Sequence, residues 1–183
     1  YSMTNRTALS KFFIDAQKVD SDLSAASMFC IRKGIDKGDI TYGDLFNMYP
    51  FDNELLQVRT NGDSILRYLE SGLKFYTPGK DNSSMVSGLT YDFNPDLVGG
   101  RRITSVTFNG KKYKRDQFAR QYLTVSMDNY TYGKSCFKDG VVTKKYGPVF
   151  YVLKDHLKNR GPLNNLSDEP EGKIVSDVPD EDL

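Results

Sequence analysis

Histidine and cysteine, the side chains that most often carry nucleophilic or metal chemistry, are scarce: His156 stands alone, with Cys30 and Cys136. That inventory builds neither a His/Cys zinc site nor a His-rich two-metal cluster. His156 lies in Lys154-Asp155-His156-Leu157-Lys158, a charged stretch that reads as the surface of a helix more readily than as a general base. Neither a G-x-x-x-x-G-K-S/T phosphate loop nor a G-x-S-x-G nucleophile elbow is present. An independent enzyme would have to rest on His156 or Cys136, so the chain reads better as a binder than as a complete catalyst.

The 183 residues suit one ordinary domain plus a tail, and 12 Tyr and 11 Phe supply ample apolar surface for a core. No apolar run approaches the ~20 residues of a membrane-spanning helix. Net charge is +1 but uneven: residues 167–183 carry seven acids against Lys173 alone, which leaves 24 bases and 17 acids in residues 1–166. The bases are dispersed rather than clustered, so a solvated surface is preferred over nucleic-acid binding. Residues 1–162 are expected to fold, and 163–183 to form an acidic, flexible tail or linker. The first residue is Tyr1 with no signal-like segment before the first helical pattern, as in a mature chain or an excised piece. N-x-S/T triplets at Asn5, Asn82, Asn129 and Asn165 would permit glycosylation in a secretory pathway.

The elements that must position any site follow from spacing. Leu9, Phe12, Phe13 and Ala16 trace one face of an opening helix that Thr4 or Asn5 could cap. Ala25 to Ile31 is a short apolar run suited to a buried strand ending at Arg32. Thr41 and Asp44 form a capping box for a short helix through Met48, stopped by Pro50. Glu54 to Thr60 reads as a strand, and Asn61-Gly62-Asp63-Ser64 leads into a helix burying Ile65, Leu66, Leu69 and Leu73, with Gly72 weakening its end. Ile103 to Phe108 alternates and meets Asn109-Gly110, a strong hairpin signal. Tyr122 to Met127 is a further strand, Gly133 to Gly147 a loop-rich section, and Phe150 to Asn159 a last helix. The class is α+β, with helices packed on a mixed β-sheet.

Taken in order, several segments resemble the C-terminal, substrate-recognition domain of the 5'-nucleotidase family, which includes UDP-sugar hydrolases and 2',3'-cyclic-nucleotide 2'-phosphodiesterases. They are Leu9 to Gln17, Ile31-Arg32-Lys33-Gly34-Ile35 through Gly38 to Asp44, Tyr49-Pro50-Phe51-Asp52-Asn53, Thr60-Asn61-Gly62 with Leu69-Glu70, Val86 to Tyr91, Phe108-Asn109-Gly110-Lys111, and Asn129-Tyr130. Together they cover about residues 5–160. The resemblance implies a division of labour in which a separate catalytic domain, in the same gene product or another chain, holds two divalent metals and this domain holds a nucleotide or nucleoside. It also implies an extracytoplasmic address.

By position, the resemblance maps the two base-stacking rings onto Phe51 and Phe137, a phosphate- or ribose-binding guanidinium onto Arg32, and a polar contact onto Asn53. Stacking is worth about 1–3 kcal/mol per base, and an arginine fork suits phosphate. The plain alternatives are core phenylalanines and a solvated arginine. Departures are visible: Ser27-Met28-Phe29-Cys30-Ile31-Arg32 replaces the family's Asn-x-Gly-Gly-Ile-Arg, and Tyr132-Gly133-Lys134-Ser135-Cys136-Phe137 replaces a Gly-Gly-Asp-Gly-Phe loop. The arginine the family carries about ten residues before Asp15-Ala16 appears as Asn5, beside Arg6. Both cysteines fall in altered segments that the family fold brings to one pocket, so a Cys30–Cys136 disulfide is one expectation and two free thiols the other. The rival to nucleotide recognition is a degenerate family domain used for protein association or dimerisation.

Overall fold

The computed structural model describes residues 7–74, 76–77, 80–160 and 172–174. The opening helix, α1 (Ala8–Ala16), buries Phe12, Phe13, Ile14 and Ala16. Thr7 caps it through a box with Ser10, whereas the expected caps, Thr4 and Asn5, lie outside the described residues. The next apolar run divides: β1 (Leu23–Ser27) ends early because the Ser27 hydroxyl accepts the Phe29 amide and starts a 3-10 turn over Met28–Cys30. Then come α2 (Tyr42–Met48), with the Thr41/Asp44 capping box in place, and β2 (Glu54–Asn61). The following α3 (Gly62–Leu73) is capped by Asn61.

The strands β3 (Ser84–Ser87), β4 (Leu89–Phe93), β5 (Ile103–Phe108) and β6 (Lys111–Lys114) follow. Asn109 and Gly110 turn the β5–β6 hairpin at φ 50° and 73°. A short α4 (Arg115–Ala119) leads into β7 (Tyr122–Asp128), α5 (Asn129–Tyr132) and a 3-10 turn over Ser135–Phe137. The section expected to be loop-rich instead closes with an edge strand, β8 (Val141–Pro148), before α6 (Val149–Arg160). Its Lys144 and Lys145 are exposed and its pairing to β2 shifts register twice, so it carries little apolar alternation. Within the segment expected to be a tail, β9 (Gly172–Ile174) runs parallel to β4; residues 163–171 and 175–183 lie outside the described residues.

One sheet has the order β3-β1-β7-β2-β8 and the other β6-β5-β4-β9. The first is mixed, since β1 and β7 are parallel while β1–β3, β2–β7 and β2–β8 are antiparallel. Its two faces bury different cores. Phe12, Phe13, Leu45, Met48, Val149 and Leu153 bring α1, α2 and α6 onto one face. On the other, α3 is packed between the sheets, where Ile65, Leu66, Tyr68 and Leu69 meet Val58 and Val125 on one side and Tyr91 and Val106 on the other. The expected α+β class and the mixed sheet with packed helices are what the chain adopts.

Candidate functional site

Parallel strands deliver their C-terminal loops to the same end of a sheet, which in open α/β sheets is where ligands bind. Here β1 runs into the Met28–Cys30 turn and β7 into α5, while antiparallel β2 starts at the same end, with Leu55 opposite Asp128. The turn from Tyr49 to Asn53 therefore lies beside both loops. Phe51 is half-buried on this turn, its ring 5.2 Å from that of Tyr49 in an edge contact. The Arg32 guanidinium carbon stands 5.2 Å from the Phe51 ring centroid, a cation–π distance. Exposed Arg32 is tied to α2 through its amide, which donates to the Met48 carbonyl at 2.8 Å. Thus Arg32, Phe51 and Asn53 are brought together.

Beneath them lies Asp128, 1% exposed. Its Oδ1 accepts the Thr131 amide at 2.7 Å and caps α5; its Oδ2 accepts the Tyr49 hydroxyl at 3.0 Å. Asn53 Nδ2 donates to Tyr49 Oη at 3.0 Å and points toward Asp128 Oδ2 at 3.5 Å. Burial and the Asp128 charge push the Tyr49 phenol well above its ordinary value, so it remains a donor. Burial, reinforced by Asp128, raises the Cys30 thiol to about 12.

Phe137, the second ring to which the resemblance points, is 0% exposed, its ring centroid 5.4 Å from that of Tyr68. Its loop lies close against β2: a Cβ on Gly140 would come within 2.6 Å of Val58 Cγ1, so a larger residue there would force the loop or Val58 to shift. Of the two alternatives for the cysteines, the structure has Cys30 and Cys136 both free, the first buried and the second half-buried. They do share a neighbourhood, since both act on the buried Tyr68 phenol. Ser84 stands near that phenol without completing a hydrogen bond. Of the two bulky residues that stand where the family motif has glycines, Cys30 turns into the core and Phe29, 47% exposed, turns out.

Residues given no role from the sequence complete this end: Tyr49, Asp128, exposed Tyr130, and Lys134, whose Nζ lies 5.5 Å from the Tyr130 ring centroid. The available signal was Asp128-Asn129 directly after a strand, a helix N-cap pattern. His156 is half-buried on α6, 5.8 Å from the Phe12 ring, and burial followed by Arg160 lowers its pKa. Among the described residues no group of three His, Cys, Asp or Glu side chains is placed to hold a metal ion.

The sequence profile described as "5'-nucleotidase, C-terminal domain" matches residues 2–138. The chain belongs to the 5'-nucleotidase C-terminal domain family. A trifunctional nucleotide phosphoesterase, YfkN of Bacillus subtilis, is 30% identical, with 93% of this chain matched to 12% of that protein. Protein UshA of Yersinia enterocolitica is 27% identical, with 93% of this chain matched to 30% of its length. Among solved structures, a 5'-nucleotidase precursor from Thermus thermophilus superposes with TM-score 0.74 at 19% identity, covering 97% of this chain and 37% of that one. The NAD nucleotidase of Haemophilus influenzae gives TM-score 0.71 at 18% identity, over 94% of this chain and 33% of that one. At these identities the structures establish the shared fold. This 5'-nucleotidase C-terminal domain thus spans a third or less of the curated relatives it matches.

Proposed function

We propose that this domain recognises a nucleotide or nucleoside for a 5'-nucleotidase-type phosphohydrolase, with the two-metal catalytic domain outside the chain. The observation that carries this reading is the half-buried Phe51 ring at the end of the parallel β1–β7 pair, with Arg32 5.2 Å away and Asn53 on the same turn. Phe51 is the stacking ring. Arg32 is the anion contact, free to leave the ring for a phosphate. Phe137 is not a second ring in this conformation; Phe29 and Tyr130, exposed on the flanking turns, are the aromatics available at this end. Extracytoplasmic placement is part of the same reading and rests on the family resemblance, since the free thiols lend it no support. Among the described residues no helix is long and apolar enough to cross a membrane.

Calorimetric titration with adenosine, uridine, AMP and 3'-AMP tests the proposal. Stacking on one ring predicts weak binding that Phe51→Ala reduces by about 5- to 150-fold, with AMP gaining over adenosine through Arg32. Absence of binding by demonstrably folded protein would overturn it. A second reading, a domain now used for association, is favoured by the buried Phe137 and by exposed Tyr42, Phe46 and Tyr151 on α2 and α6. It expects oligomers on a sizing column and indifference to nucleosides.

A further inference from the structure

We infer that Asp128 acts through Tyr49 to fix the polarity of the Asn53 amide, so that the site offers a base an acceptor and selects bases that carry an N–H on their edge. This rests on the nucleoside reading and deepens it. A primary amide has a donor end and an acceptor end, and its neighbours decide which faces which way. Asp128 Oδ2 is an acceptor, so the single Tyr49 hydroxyl proton is committed to it across 3.0 Å. Toward Asn53 the hydroxyl has only lone pairs left, and the amide must turn its NH2 inward, at 3.0 Å from Tyr49 Oη and 3.5 Å from Asp128. Asn53 Oδ1 is then the free end. It bonds to nothing among the described residues, yet it is not among the buried unpartnered atoms, and the residue is half-exposed.

The position of this acceptor follows from the same ring. The Tyr49 and Phe51 rings meet in an edge contact with centroids 5.2 Å apart, and the Tyr49 hydroxyl accepts from Asn53, so stacking surface and acceptor belong to one turn. A base lying on Phe51 presents its edge to groups at this rim. An exocyclic amine, as in adenine or cytosine, or a ring imino N–H, as in uracil or guanine, would donate to Oδ1. A base with ring nitrogens but no N–H would meet an acceptor with an acceptor and leave both unpaired. Asp128 is thus a positioning residue, and Asn53 the one that touches the ligand.

The test compares adenosine with purine riboside, which differ by the exocyclic amine alone, by calorimetry on the whole chain. The wild type is expected to bind adenosine about three- to tenfold more tightly, the usual span for one neutral hydrogen bond. Asn53→Ala should bind both alike and still depend on Phe51. Asp128→Asn keeps a good N-cap for α5, but its new NH2 donates to Tyr49, whose proton then turns to Asn53 and flips that amide. The adenosine preference should vanish or reverse, a change in ratio that a general loss of stability would not produce. Equal affinities in the wild type, or an unchanged ratio in folded Asp128→Asn or Asn53→Ala, would overturn the inference alone. No binding of either nucleoside would overturn it together with the nucleoside reading.

Discussion

Cys30 and Cys136 differ in reactivity for a physical reason. Thiolate is the nucleophile, and burial penalises it at both positions. Cys30 is 5% exposed and is raised to about 12 with Asp128 nearby, whereas Cys136 is only half-buried, with Lys134 and Arg67 favouring its charged form. A thiol reagent near neutral pH is therefore expected to label Cys136 slowly and Cys30 only after unfolding, with two thiols titrating in the unfolded, unreduced protein. Mass spectrometry of labelled peptides checks both statements; a single unlabelled pair after unfolding would restore the disulfide. At this scale the motif in sequence was enough to place Phe51, Arg32 and Asn53 near one another, but not to show which way Phe137 faces. An aromatic in a Gly-containing loop looks alike whether it faces solvent or the core.

Among the elements, α3 shows how one residue governs a junction. Gly72 looks like a weak point in a helix, since glycine costs about 1 kcal/mol against alanine in helix interiors. Its role is packing: a Cβ there would sit 1.9 Å from Asn82 Oδ1 and 2.7 Å from the Ser84 amide. Asn82 in turn ties the strand to the helix, donating to the Leu69 carbonyl at 3.0 Å and to Tyr91 Oη at 2.9 Å. Gly72→Ala is expected to destabilise by about 1–3 kcal/mol despite the better helix propensity, as overpacking does. Urea denaturation checks the sign; a stabilised variant would contradict the close approach. The same contacts bear on the Asn82 sequon, because Asn82 Nδ2 is already engaged.

For the whole molecule, α3 is packed between two sheets, the loops after β1 and β7 lie at one end of the first sheet, and the curated relatives are several times longer. The proposed division of labour predicts that the purified chain releases no phosphate from AMP or 3'-AMP with any added divalent cation, measured by a phosphate assay. Turnover that is lost on mutating a residue of this chain would refute it.

Local signals in the sequence determined much of this protein. The Thr41/Asp44 capping box, the Asn109-Gly110 hairpin and the buried stripe of α3 each depend on residues a few positions apart, and each appears where those residues place it. The ordered run of short motifs was enough to identify the family. Tertiary structure alone decided three things. β8 is a strand because β2 lies beside it, not because Val-Val-Thr-Lys-Lys alternates. Phe137 is buried in a loop that lies close against Val58 of β2. The Asn53 amide has a direction because Asp128, distant in sequence, holds the Tyr49 proton. In each case the deciding partner is far along the chain, and only the packed fold brings it within contact.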